Sequence, residues 1–173
     1  ATMAACVEAG ALPEAVSESL SRFTAPHRRF EYTGTVCGVK LYTDYGHNPA
    51  EMHSELENAA HQPHKRLFAV MQPHTFSRVK TLFKDYIHCC DLADEVLVTD
   101  IFAAREKDPG DIHASMLVEA MQKEGVPAHY TPTFYDAEAY LRAHWQAGDL
   151  VITMSCGNIN LLNAQIQEHG DAG

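Results

Sequence analysis

Leu67-Phe-Ala-Val-Met71 is an unbroken apolar run of strand length, followed directly by Gln72-Pro-His-Thr-Phe-Ser-Arg78 and then by Val79, Leu82, Phe83, Tyr86 and Ile87 at helical spacing. A short run that is apolar at every residue suits a strand covered on both faces, and the 3.6-residue period after it suits a helix lying on that sheet. The unit recurs downstream. Glu95-Val-Leu-Val-Thr-Asp100 is the next strand, and Asp111 is placed to cap a helix through Met116, Leu117, Ala120 and Met121 that stops at Gly125. Ala128 to Thr131 reads as a weak strand, and a helix from Ala137 to Ala147 ends at Gly148. Leu150-Val-Ile-Thr-Met154 is a last strand before a Ser-Cys-Gly turn and a final helix.

Upstream, Phe30 and Tyr32, then Val39, Leu41 and Thr43, alternate around a glycine-bearing turn at Gly34 and Gly38 and predict a β-hairpin. Asn48-Pro-Ala-Glu51 supplies a cap, a proline at the first helical position and a glutamate three residues on, so a helix starts there and runs to about His61. This alternation of strand and helix calls for right-handed crossovers and a parallel sheet covered on both faces. The expected fold is α/β: a doubly wound, mostly parallel, Rossmann-like sheet with an N-terminal β-hairpin at its edge.

The first residues read differently. Ala1 to Ala9 has helical composition with no capping residue ahead of it, and Pro13 opens a second helix with Leu12, Val16, Leu20 and Phe23 at helical spacing. Thr24-Ala-Pro-His-Arg-Arg29 breaks the pattern, which predicts a boundary near Pro26 between a helical tail at 1–25 and the domain proper at 26–173. The uncapped opening reads as a cut inside a longer protein.

The chain has 173 residues, 46% of them hydrophobic, enough for a full core. Acidic residues exceed basic ones by 23 to 13, so no overall basic field attracts a nucleic-acid backbone, and nucleic acid is not an expected partner. Five scattered cysteines, two of them the neighbours Cys89 and Cys90, read as reduced thiols. No apolar run reaches the roughly 20 residues of a membrane span, and the expected location is cytoplasmic, with no membrane partner.

Ligands of open α/β sheets bind beyond the carboxyl ends of the strands, which selects Asp44 to His47, Gln72 to Arg78, Asp100 to Arg105 and Ser155 to Asn158. Thr43-Asp-Tyr-Gly-His-Asn-Pro-Ala-Glu51 sets an acid, a phenol and an imidazole before a helix N-terminus, a place that favours a carboxylate or phosphate. The competing reading is a capped turn whose histidine merely packs. Arg78 is suited to gripping a carboxylate bidentately, while His74 reads equally as a site residue or a hydrogen-bonding group at a helix entry. Among eleven histidines, His61 with His64 and His47 with His74 are conceivable metal pairs, but no zinc-type spacing supports them and no metal ligand is assigned. Cys156 reads as a small packed residue, and Asp100, Arg105 and Glu106 as either a solvated ion-pair cluster or a hinge surface.

Arg28-Arg-Phe-Glu31, Asp44-Tyr-Gly-His-Asn-Pro-Ala-Glu51, Gln72-Pro-His-Thr-Phe-Ser-Arg78, Asp100-Ile-Phe-Ala-Ala-Arg-Glu106 and Gly148-Asp-Leu-Val-Ile-Thr-Met154, in that order and spacing, resemble the C-terminal domain of the Mur ligase family, and the glutamine-proline-histidine segment resembles its alanine-adding branch. Three positions depart from the family pattern: Asn48 stands where a second histidine is common, Thr75 where arginine is common, and Met154-Ser-Cys-Gly-Asn158 replaces a methionine-glycine-alanine-glycine-aspartate segment.

The resemblance implies an ATP-dependent ligase of peptidoglycan synthesis in which ATP and Mg2+ activate the carboxylate of UDP-N-acetylmuramate as an acyl phosphate and the amine of L-alanine attacks it. It implies that this domain is a lid that works with N-terminal and central domains not contained here. The central domain would supply the Gly-Lys-Thr/Ser phosphate loop, which this chain lacks, so the chain alone should not hydrolyse ATP. By position, Arg29, with Arg28 as substitute, and Asp44 would contact the adenosine part of ATP, while Tyr45, His47, His74 and Arg78 would border the acyl phosphate and the alanine. Of these, His47, His74 and Arg78 are the catalytic candidates, with His47 suited to taking a proton from the alanine ammonium. Two alternatives stand beside this reading: a ligase that attaches a recovered tripeptide to UDP-N-acetylmuramate, and a non-catalytic nucleotide- or phosphate-binding module.

Overall fold

The computed structural model describes residues 2–23 and 26–171. Its centre is β3 (Leu67–Met71), whose five residues are all buried because the sheet is covered on both sides. The strand's alternation sorts them: Leu67, Ala69 and Met71 face one core, Phe68 and Val70 the other. Around β3 the strands β1 (Glu31–Val36), β2 (Val39–Asp44), β4 (Glu95–Val98), β5 (Ala128–Tyr130) and β6 (Leu150–Met154) complete a six-stranded sheet in the order β1-β2-β6-β3-β4-β5. Every pairing is parallel except that of β1 with β2, the predicted hairpin at the edge. The tight turn is made by Cys37 and Gly38, while Gly34 marks a shift of register inside β1.

One face is covered by α3 (Pro49–Ala60), α4 (Phe76–Thr81), α5 (Phe83–His88) and α6 (Ala114–Lys123), which bury Met52, Leu56, Val79, Tyr86, Leu117 and Met121 on it. The other is covered by α7 (Phe134–His144) and α8 (Asn160–His169), through Ala137, Leu141, Leu162 and Ile166. Each buried valine, leucine, isoleucine or methionine among these contributes about 1.5–3 kcal/mol. The expected doubly wound α/β fold is therefore what the chain adopts.

Several boundaries differ from expectation. The helix from Val79 to Ile87 is broken at Leu82 into α4 and α5. Asp111 does not cap α6: the residue before that helix is His113, which makes no side-chain cap, and Asp111 instead pairs with Lys80 at 2.5 Å. Helix α7 begins at Phe134 rather than Ala137, because Thr133 and Asp136 form a reciprocal capping box. Asn48 does cap α3, accepting from Glu51 N at 3.0 Å, but Glu51 turns its carboxylate back to His47 N rather than to the cap residue.

Ahead of the sheet, α1 (Thr2–Glu8) and α2 (Pro13–Ser21) pack on each other and leave Leu12 and Phe23 at 70% and 67% exposure. In the predicted break at Thr24 to Arg29, Thr24 and Ala25 lie outside the described residues, as does Ala1 at the opening of the first helix. All five cysteines are free, Cys89 and Cys90 with their sulfurs 3.6 Å apart.

Candidate functional site

Strands β2, β6, β3 and β4 are parallel neighbours, so their carboxyl ends open on one rim. Asp44 to His47, Ser155 to Asn158, Gln72 to Arg78 and Asp100 to Glu106 follow one another along it.

Asp44 ends β2 and is 1% exposed; its Oδ1 accepts from Gly46 N at 2.5 Å and its Oδ2 from Phe30 N at 2.7 Å. This aspartate is thus a buried bracket between the hairpin entry and the β2–α3 turn. Tyr45 stands out from the rim, and the guanidinium carbons of Arg28 and Arg29 lie 5.0 and 5.5 Å from its ring centre. Arg29 is exposed, and among the described residues no carboxylate lies within ion-pairing distance of it.

The two histidines have opposite faces available. His47 Nδ1 lies 3.1 Å from Tyr45 O and 3.2 Å from Glu51 Oε2. A carbonyl oxygen only accepts, so Nδ1 carries the proton and the lone pair of the neutral ring sits on Nε2. His74 Nδ1 lies 3.2 Å from Arg78 Nη1, and a guanidinium only donates, so here Nδ1 is the acceptor and Nε2 carries the proton. The rings are 6.0 Å apart, and neither Nε2 has a hydrogen-bond partner among the described residues.

Phe102 fixes the plane of His74, with ring centres 5.5 Å apart and 24° between planes. A parallel bridge ties the two segments: Phe102 N donates to Pro73 O at 2.8 Å and Thr75 N to Phe102 O at 2.9 Å. Burial here pushes the His74 imidazole below its ordinary 6.5; the charges of Arg78 and His47 add to this, and Glu106 opposes it. Cys156, half-buried, adjoins Arg78, and burial raises its thiol against the pull of that arginine.

The rest of the rim is framework. Glu106 accepts from the backbone and hydroxyl of Ser77, which holds its carboxyl below the usual range and ties it to the first turn of α4. Asp100 accepts from the Tyr130 hydroxyl; burial first, and then this bond, push Tyr130 up to about 12. Asp100 and Glu106 are thus each held by hydrogen bonds, to Tyr130 and Ser77, while Asp100 and Arg105 remain exposed. Gln72 and Asn158 form a two-bond clasp, Nε2 to Oδ1 at 2.9 Å and Asn158 N to Oε1 at 3.2 Å. The clasp and Phe102 went unread in the sequence because their partners are remote along the chain. His61 and His64 each bind a nearby carbonyl, and among the described residues no group of three or more His, Cys, Asp or Glu is arranged to hold a metal. A cavity of about 570 Å3 opens away from this row, between α3 and α5, and takes no part in it.

Residues 28–157, which span the whole row, match the family model described as Mur ligase, glutamate ligase domain. The chain belongs to the Mur ligase family. Within it, this Mur ligase domain is 43% identical over 159 residues to the UDP-N-acetylmuramate–L-alanine ligase of Caldanaerobacter subterraneus subsp. tengcongensis, a match covering 92% of this chain and 35% of that protein. In fold it is similar to UDP-N-acetylmuramate-alanine ligase MurC from Thermotoga maritima, with a TM-score of 0.75 at 20% identity over 96% of this chain and 35% of the other. It is also similar to a murein peptide ligase from Psychrobacter arcticus, with a TM-score of 0.72 at 19% identity over 99% and 35%. The chain spans about a third of the length of these relatives.

Proposed function

We propose that this chain is the amino-acid-binding lid of an ATP-dependent ligase that joins L-alanine to UDP-N-acetylmuramate in peptidoglycan synthesis. The observation that carries the reading is the row Tyr45, His47, His74 and Arg78, in which a cation without an ion-pair partner, a base and a donor share one rim among the described residues. The names of the relatives support the same reading.

Arg78 offers a planar fork for the alanine carboxylate. His47 Nε2, its lone pair exposed by the bond at Nδ1, takes a proton from the alanine ammonium. His74 donates from Nε2 to the oxygen on which charge grows as the amide forms. ATP, when bound, supplies the phosphoryl group that turns an unreactive carboxylate into an acyl phosphate. Arg29 over Tyr45 fits the base and sugar of such a nucleotide, an exposed planar cation beside an aromatic ring. A magnesium ion would be held by the phosphates and by the rest of the protein, since the row is cationic and imidazole-rich. The pair α1 and α2, with Leu12 and Phe23 exposed, is the tail of the preceding central domain in this reading, and the lid swings about residues near Pro26.

The test uses the natural protein that carries this chain, given ATP and UDP-N-acetylmuramate with either L-alanine or a cell-wall tripeptide. ADP release that depends on alanine is the expected result. Release with the tripeptide alone would move the protein to the recycling branch, and nucleotide binding without release under either condition would leave only a binding module.

A further inference from the structure

Arg28, not Arg29, is the arginine committed to the fold. Its φ of +58° lies in a region unfavourable for a side chain, and its surroundings hold it there. Arg28 N donates to Glu31 Oε2 at 2.7 Å, and its carbonyl accepts from Tyr45 N at 2.8 Å. The guanidinium donates to Gly157 O at 3.0 Å and to Ser155 O, and its Nε is buried without a partner among the described residues. A buried donor left unpaired is costly, so this position is kept for something other than stability alone.

The loop it grips leads to the site. A Cβ added to Gly157 would lie 2.9 Å from Phe102 Cγ and would meet Gln72 Oε1, so the Gly157 backbone already packs against the ring that stacks on His74. Asn158, next in sequence, is clasped to Gln72. We propose that Arg28 is a positioning residue: by forking the carbonyls of Ser155 and Gly157 it sets the β6–α8 loop, and through Phe102 the orientation and dryness of His74, leaving Arg29 as the arginine that meets a ligand. The role in turnover rests on the ligase reading; the effect on His74 does not.

The experiment follows the His74 ring signals by NMR across a pH titration of this chain, ligand-free, in the parent, Arg28→Ala, Arg28→Lys and Arg29→Ala. Arg78, His47 and Glu106 are the charged and titratable groups facing His74, and none is altered in these variants. Lysine keeps the charge but cannot fork two carbonyls. The His74 midpoint should therefore rise in both Arg28 variants, as water reaches the loosened stack, and stay in place in Arg29→Ala. An unchanged midpoint in both Arg28 variants overturns the proposal. So does a rise in Arg28→Ala with none in Arg28→Lys, which would make the effect one of charge. If the Arg28 variants do not fold, Gly157→Ala presses on the same contact with Arg28 intact, and an unmoved His74 there is equally fatal. In the natural ligase, Arg28→Lys should lower turnover by roughly 100-fold, the scale of an ångström-level misplacement, with the nucleotide KM unchanged. Arg29→Ala should raise that KM.

Discussion

The two ends of this sheet carry similar side chains to opposite purposes. At the amino ends of the strands Arg66 reaches Asp149 at 2.7 Å and Glu95 at 3.7 Å, while Tyr140 donates to Glu95 at 2.7 Å and lies 2.9 Å from His129 Nε2. At the carboxyl ends Arg29 and Arg78 have no ion-pair partner among the described residues, and His47 and His74 each leave Nε2 without a hydrogen-bond partner among them. A tally of polar residues does not tell these rims apart; what each charge is paired with does. The arginine at one end is ion-paired and, among the described residues, the two at the other are not, and that is the difference that mutation can probe.

The comparison breaks most sharply at Arg78. Arg78→Ala in the natural ligase should raise the alanine requirement and cost about 2.7–4 kcal/mol in the barrier, the usual loss for one preorganised donor, with little change in unfolding free energy. Unaltered kinetics would take Arg78 out of the site. Its counterpart is Arg66→Ala, which leaves the carboxylate of Asp149 buried at 1% exposure without its cation. Chemical denaturation should show a loss of roughly 1–3 kcal/mol, toward the lower end because the Arg66 side chain is 33% exposed and partly screened. No loss would mean that the pairing at this end is ornament and that the contrast between the rims is overstated.

The strands were legible because being covered on both faces demands continuous apolar runs; Leu67 to Met71 and Leu150 to Met154 match β3 and β6 residue for residue. The placing of Tyr45, His47, His74 and Arg78 on one rim was legible for a related reason, since strand ends in a parallel sheet share a side. Helix ends were less so: Thr133 was overlooked as a cap although Asp136 completes its box, and the break at Leu82 has no glycine or proline to announce it. What no local pattern carried was contact across the chain. Arg28 meets Gly157 across 129 positions and Gln72 meets Asn158 across 86, so the difference between the exposed Arg29 and the anchored Arg28, and the burial of Asp44, emerged only from the folded rim.

The smallest expected effect sharpens the comparison from the side of pH. Burial, helped by Arg78 and His47, holds His74 below its ordinary 6.5. A histidine whose folded value is depressed binds its proton more readily in the unfolded chain, so its share of stability is fully present above 6.5 and is lost as pH falls through that value toward the folded one. Protonation also removes the Nδ1 acceptor that faces Arg78 and sets two cations against each other. Denaturation midpoints of this chain should therefore fall between about pH 7 and pH 5, and His74→Gln, which keeps an acceptor and cannot titrate there, should flatten part of that fall. Were the two curves to run parallel, His74 would have to be as well solvated as a surface histidine, and the stack with Phe102 would not be what keeps it neutral.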